Sequence, residues 1–549
     1  MDQLFHKSCV VILGAGSIKN PPAYMNSSNE EIFMLNIGHS LVVEKIANFY
    51  IEKGISNIIL AVNDEHPFHS FRAFCKVNIK SIGITLAPLE TLERTIRDLS
   101  SDIIIVNPIT TIPTYKFDEL DIPSIVYGEE SIPKENWSAL IEDNLAIEFI
   151  GKNEPISSQP SHPFTGIIVS HRKDLLCAMA GLDKSLYNDI NQLAQSLFKN
   201  NAAKIIYSKW IDIGHESTFT TASKHVFTSR QFNNIEYKKS SNTLIKCSSN
   251  VEKLQREANY FNELDKGLRQ FYPQLINHYL DDANGKYYLE LEYIPYPSLS
   301  EIFLFKKFGP ASWQQICLAL KRAFDLLYKK PVAFDSPKHL YHEKFNNRLI
   351  SMSNIFTGNK YRILSNSWHK ILNINGVQLP CSINDICHNL ANELVSYSKP
   401  IDLYKGHGDF CFNNILVDPI FGAVKIIDPR GSGIDNRNQS NIDPRYDICK
   451  INHSVTCLYD SIVNNLFSIH INESSINIKI YSPQNHAIIQ SIFNNIFINK
   501  VINHDDLRVI TSSLFFSMIP LHAENELRCL AFALIGSTYY LRGNIDLLQ

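Results

Sequence analysis

Apolar and polar positions follow two different patterns along the chain. In the first part, continuous apolar runs alternate with a segment of helical period. VVILGAGS at Val10 to Ser17 predicts a buried strand ending in a Gly-rich turn, SLVVEKIANFYIEKG an amphipathic helix, and SNIILAVND a second buried strand. This β-turn-α-β unit is of the kind that binds nucleotides at strand C-termini. IIIVNP and HPFTGIIVS predict further strands and ENWSALIEDNLAIEFIGK a hairpin-like segment, before KWIDIGHESTFTTASKHVF closes the series. From Phe232 onward the pattern changes. Phe232 to Tyr237 and Thr243 to Cys247 read as strands joined by KKSSN, and VEKLQREANYFNEL follows with Val251, Leu254, Ala258, Phe261 and Leu264 at helical spacing. The boundary falls between His225 and Phe232, giving domains over residues 1–228 and 229–549. Between the later helices the polar stretch from Ser353 to Lys360 is expected to break helical structure and to border an acceptor site. HINESSINIKIYSPQNH is expected to be an exposed insertion.

Composition changes this picture little and excludes several classes. Hydrophobic residues make up 44% of the chain and charged residues 19%, as in ordinary folded proteins. A net charge of −3 argues against a nucleic-acid or membrane surface of any size. No apolar run reaches the roughly 18 residues of a membrane span. Met1 leads almost directly into the first strand, so no signal peptide is expected and the chain is expected to be cytoplasmic. Eleven scattered cysteines without C-x-x-C read as reduced core residues, and the histidines form no metal-binding cluster. Nothing in the pattern sets an oligomeric state.

The candidate chemistry lies in GHGDFCFNNILVDPIFGAVKIIDPRG, Gly406 to Gly431. It combines His407-x-Asp409-x-x-x-x-Asn414 with Asp428-Pro-Arg-Gly across an apolar run that predicts a β-hairpin. In-line phosphoryl transfer needs an acceptor hydroxyl oriented by a carboxylate and a cation neutralising the phosphate oxygens. Asp409 is the candidate carboxylate. Asn414 and Asp428 are candidate hard-oxygen ligands for Mg²⁺, which keeps water and phosphate in its other positions. His407 is read as a prop for the loop and Cys411 as a packing residue. Upstream, Lys246 in the strand TLIK and Glu257 in the following helix sit where a phosphate-binding lysine and its partner acid would meet. No G-x-G-x-x-G precedes them, so Asn242 or the neighbouring serines must make the turn.

The part from about Arg230 to the end resembles the aminoglycoside phosphotransferase and choline kinase group of the kinase-like fold. More narrowly, it is similar to phosphotransferase domains of bacterial capsule and surface-polysaccharide gene clusters, whose loop reads close to HGD-[LF]-C-F-x-N-I-L with the metal motif I-D-P-R-G. The likeness continues through Asp443-Pro-Arg-Tyr-Asp447 and SLFFSMIPLHAENELRCLAF. It implies a two-lobed α+β domain using ATP and Mg²⁺. Lys246 and Glu257 would serve the phosphates, Asp409 would be the base, Asn414 and Asp428 would hold the metal, and adenine would lie against backbone groups near Glu292 to Ile294. Asp447 would cap a helix, and Arg430 would tie the metal loop down.

Residues 1–228 resemble sugar-phosphate nucleotidyltransferases, an α/β Rossmann-like, GT-A-like fold, through the Gly-rich loop, the W-x-x-[ILV]-x-x-D segment, the F-T-G-I strand and W-x-D-I-G. The likeness implies that Gly14, Gly16 and Lys19 contact a nucleotide and that Asp212 binds metal. Two catalytic positions depart from that family: Glu31 falls where its lysine belongs, and Asn107 where its metal aspartate belongs. An anion in place of a cation at a triphosphate site costs several kcal/mol at low effective dielectric. The combined expectation is a kinase of a small hydroxyl compound whose first domain binds a nucleotide or sugar phosphate. Two alternatives stand beside it: a bifunctional kinase and nucleotidyltransferase using CTP or another nucleoside triphosphate, and a non-catalytic scaffold.

Overall fold

A computed structural model describes residues 7–14, 36–37, 40–63, 77–116, 121–129, 138–143, 146–151, 161–214, 229–230, 233–238, 240–305, 308–356, 361–418, 420–431, 441–472 and 475–549. The chain divides into two compact units, Met1–Val226 and Phe227–Gln549.

The first unit is built on β1 (Cys9–Leu13), β2 (Asn57–Val62), β3 (Asn78–Ser81) and β4 (Ile103–Pro108), which lie in the order β3-β2-β1-β4 and pair in parallel. Strands covered on both faces need apolar side chains on both, which is why CVVIL and IIIVN are continuous runs rather than alternations. Helix α1 (Val42–Glu52) buries Val42, Val43, Ile46, Ala47 and Tyr50 along one stripe. The long strand β5 (His162–His171) pairs antiparallel with β4, so the sheet is mixed. The segment expected to be hairpin-like forms two antiparallel strands, Ala139–Asp143 and Ala146–Ile150.

The second unit opens with an antiparallel sheet that contains β6 (Asn233–Lys238), β7 (Thr243–Ser248), β8 (Leu275–Asp281) and β9 (Lys286–Glu292), in the order β6-β7-β9-β8. Between β7 and β8 runs α2 (Val251–Asn262), capped by the Asn250 side chain and burying Leu254, Glu257, Ala258, Tyr260 and Phe261. A largely helical portion follows. Its α3 (Pro444–Val455), α4 (His504–Met518) and α5 (Glu526–Arg542) pack together, and α5 is buried without interruption from Cys529 to Tyr540. No helix among the described residues is long and apolar enough to cross a membrane.

The helix His342–Phe356 runs through Ser353 and a separate helix begins at Arg362, while residues 357–360 of the polar stretch expected to break helical structure lie outside the described residues. One expectation is corrected here. The expected insertion is a β-hairpin, Phe467–Asn472 with Ser475–Ile480, whose Ile476, Ile478 and Ile480 are buried on one face. Asn and Ser masked a strict period of two in SINIKI.

Candidate functional site

The hairpin expected between the two motifs of the second unit is present: Ile415–Val417 pairs antiparallel with Val424–Ile426. It carries His407, Asp409 and Asn414 on the approach to its first strand and Asp428 just past its second. The Ile427 amide donates to the Asn414 carbonyl at 2.9 Å, which ties the two motifs together. His407 is fully buried and bridges them. Its Nε2 lies 2.9 Å from the Ile427 carbonyl, and the Asp409 amide donates to Nδ1 at 3.2 Å. That pattern fixes the neutral Nε2–H tautomer, so His407 acts as a brace.

Lys246 projects from β7 and Glu257 from α2, and the ammonium meets the carboxylate at 2.6 Å. The two residues are only 6% and 4% exposed, so each charge needs the other. Lys246 also donates to the Asp428 carboxylate. Burial would lower the Lys246 pKa, but Asp428 and Glu257 outweigh it and hold the ammonium above its ordinary range. With two acids sharing one cation, burial raises the Glu257 carboxyl, and Lys246 opposes that only in part. Asp428 takes a positive φ of 56°, and Gly431 at φ 93° is needed because a Cβ there would sit 2.6 Å from the Arg256 backbone. The Asp428 loop is thereby pressed against the helix that carries Glu257.

Asn414 donates its amide to the Asp409 backbone carbonyl at 2.9 Å and to its Oδ2 at 3.0 Å. Its own amide oxygen receives no donor among the described residues. An unengaged amide oxygen beside a carboxylate is a donor set that fits Mg²⁺, which takes few protein ligands. No group of three or more His, Cys, Asp or Glu side chains suited to a metal occurs among the described residues.

A residue that sequence reasoning missed meets the Asp409 loop. Lys450 of α3 pairs with Asp409 Oδ1 at 2.9 Å. Burial would raise the Asp409 carboxyl, but the Lys450 ammonium and its hydrogen bond prevail and bring it down to about 2. No local signal in the sequence marked it, because its partner lies on another element. The expected role of Asp447 is corrected. Asp443 caps α3, accepting from the Arg445 amide at 2.9 Å, whereas Asp447 accepts from the His407 and Gly408 amides at 2.9 and 3.1 Å and from the Tyr328 hydroxyl. The metal loop is tied down at Arg430 by its backbone, whose amide donates to the His407 carbonyl at 2.8 Å.

In the turn between β6 and β7, Asn242 takes the left-handed conformation at φ 53°, and its Oδ1 accepts from the Tyr237 hydroxyl at 2.8 Å. Of the backbone amides near the expected adenine position, those of Glu292 and Tyr293 are engaged by Gln274 and Asn242. The Ile294 amide has no acceptor among the described residues. A cavity of about 500 Å³ lined by Phe261, Tyr272, Gln274, Glu292 and Lys425, among others, includes none of Lys246, Asp409, Asn414 or Asp428.

In the first unit, Gly14 donates its amide to the Ala61 carbonyl at 2.9 Å, and a Cβ there would meet Leu60 at 2.7 Å. Its glycine is thus set by strand packing. Gly16, Lys19 and Glu31 lie outside the described residues. Asn107 is fully buried: its Oδ1 accepts from Tyr50 at 2.7 Å, and its amide donates to the Pro108 and Thr111 carbonyls at 2.7 and 2.9 Å. Asp212 is brought near through the pairing of Trp210–Asp212 with Thr111–Pro113, and its Oδ1 accepts from the Gly214 amide at 3.0 Å. The Asn107 oxygen already accepts from Tyr50 and carries no charge, which makes it a poorer ligand for Mg²⁺ than a carboxylate.

No protein-family model matches the chain, and comparison with curated proteins finds no match. Similar solved structures match its N-terminal part. One, assigned as a glucose-1-phosphate thymidylyltransferase from Bacillus anthracis and solved with sucrose, covers 41% of this chain and 96% of its own at 16% identity and a TM-score of 0.34. HddC from Yersinia pseudotuberculosis, in two structures of which one holds GMP-PN, covers 39% of this chain and 98% of its own at 14% identity and a TM-score of 0.30. At these scores the likeness identifies neither a family nor an activity.

Proposed function

We propose that residues 229–549 form a kinase-like domain that transfers the γ-phosphoryl group of ATP to the hydroxyl of a small molecule. The observation that carries this reading is the convergence of Lys246, Glu257 and Asp428, from a strand, a helix and a loop far apart in sequence, on one buried ammonium. Asp409 accepts a hydrogen bond from the acceptor hydroxyl and aims it at the phosphorus. Held at about 2, its carboxyl is a weak base, so its main contribution is orientation, with the proton leaving late in the transfer. Lys450 fixes one carboxylate oxygen and Asn414 the other, which leaves a single rotamer for that task. Lys246 exchanges its Asp428 contact for phosphate oxygens when nucleotide enters, while Glu257 keeps the ammonium in place. Asn414 and Asp428 would hold Mg²⁺, which supplies charge neutralisation on the phosphates.

The loop's similarity to phosphotransferases of capsule and surface-polysaccharide clusters supports a precursor of such a glycan as the product. The first unit is read as a domain that binds a nucleotide or sugar phosphate without turning it over, because the neutral Asn107 stands where the nucleotidyltransferases it resembles carry their metal aspartate. Replacing Asp409 by Asn is expected to cut ADP release with the true acceptor by about 10²–10⁴-fold while ATP affinity stays within two-fold. Unchanged turnover would remove Asp409 from the reaction.

A further inference from the structure

Beside Asp409, Lys450 is joined by two further cations that the transfer step itself does not use. Lys344, on the helix His342–Phe356, bonds to the Tyr446 hydroxyl, with its ammonium 4.8 Å from the ring centroid. Arg430 places its guanidinium 5.4 Å from the centroid of the same ring. Lys450, one turn along α3 from Tyr446, holds Asp409. Three positive charges therefore surround one buried phenol, and Asp409, the acid among them, is already paired. The other acids of the adjoining segments are committed too. Asp443 pairs with Arg445 at 2.8 Å, Glu343 pairs with Lys338 at 2.9 Å, and Asp447 serves the loop amides. Neither Lys344 nor Arg430 has a carboxylate partner among the described residues.

The surplus charge marks both neighbours. Burial would raise the Tyr446 phenol, yet Lys344, Arg430 and Lys450 bring it down to about 8. Burial lowers Lys344 to about 8 against the opposing pull of Tyr446, with Arg430 and Lys450 adding to the lowering. A quaternary ammonium or amino alcohol placed here would meet like charge and no acidic cage. A neutral polyol would leave the surplus uncompensated. A phosphate or carboxylate would accept from the exposed fork of Arg430 and from Lys344 together.

Resting on the kinase reading above, we propose that the acceptor is an anionic alcohol, whose phosphate or carboxylate group binds Lys344 and Arg430 while its hydroxyl faces Asp409. The transfer then balances as follows. The hydroxyl oxygen forms a P–O bond to the γ-phosphorus as the β,γ-bridging P–O bond breaks, the electron pair leaves on ADP, and the hydroxyl proton passes through Asp409 to solvent.

The test is titration calorimetry of the full chain with D-glycerate, glycerol 3-phosphate, glycerol and choline, alongside ADP release with each. At least one of the two anionic alcohols is expected to bind ten-fold or more tighter than glycerol and choline, and the stronger of the two identifies the anion as carboxylate or phosphate. Lys344→Gln and Arg430→Gln are each expected to weaken that binding ten-fold or more with ATP affinity unchanged within two-fold, which also shows the variants folded. The proposal is overturned if glycerol or choline binds as tightly, if neither anionic alcohol binds, or if the variants weaken ATP instead. Selective binding of an anion with no ADP released from any compound would overturn the kinase reading and leave the charge preference standing.

Discussion

Asp409 has its two carboxylate oxygens held by different elements, Oδ1 by Lys450 and Oδ2 by Asn414. On the proposed function, Lys450 would act through Asp409 as a positioning residue. Lys450→Met is therefore expected to lower kcat about ten- to a hundred-fold at unchanged ATP affinity, with part of the loss restored in Lys450→Arg. Equal losses in both variants would mark a purely structural role. A second buried acid, Asp460, makes a pH prediction. Burial raises its carboxyl to about 6; the Ser300 and Ser454 hydroxyls lower it slightly, although neither reaches it with normal hydrogen-bond geometry. A carboxyl raised in the folded state favours folding while protonated, and that contribution fades as pH rises through the folded value. Asp460→Asn is thus expected to stabilise the protein at pH 7.5 by roughly 1–3 kcal/mol and to have little effect at pH 4. Denaturant midpoints at both pH values check it, and an equal effect at both would contradict the assignment.

At the scale of elements, helix α3 holds the loop of His407 to Asp409 twice, through Asp447 at its first turn and Lys450 near its middle. Asp447→Ala would leave the buried His407 and Gly408 amides without an acceptor, at a cost of about 2–5 kcal/mol. Thermal unfolding should show the loss, and a midpoint shift under 2 °C would contradict the hydrogen-bond assignment. Asp447 also shows where sequence reading fails. An acid near a helix start reads as a cap, but Asp443, just before Pro444, already fills that position, and only the folded loop reveals what the second acid does. The Lys246 strand, the Glu257 helix and the Gly406 to Gly431 hairpin were legible because each has a local apolar period beside a residue of fixed chemistry. Lys450 and Lys344 were not, because an isolated lysine carries no local signal and its partner lies on another element. SINIKI was misread for a related reason, as its polar positions concealed a half-buried strand.

For the whole molecule, the separate core of the first unit, centred on Val11, Ile104, Val106 and Ile168, predicts that the second unit does not need it to fold. A fragment comprising Phe227–Gln549 is expected to unfold cooperatively and to keep ADP release within about three-fold of the full chain. Loss of the cooperative transition would contradict the division. The proposed function requires above all that Lys246, Glu257, Asp409, Asn414 and Asp428 form one phosphoryl-transfer centre. Its most direct test follows labelled γ-phosphate from ATP to an alcohol acceptor with Mg²⁺, in the full chain and in Asp409→Asn. Mg²⁺-dependent transfer that the substitution abolishes is the result expected. Label that never leaves ATP with any alcohol, or that moves equally well in both proteins, would contradict the claim.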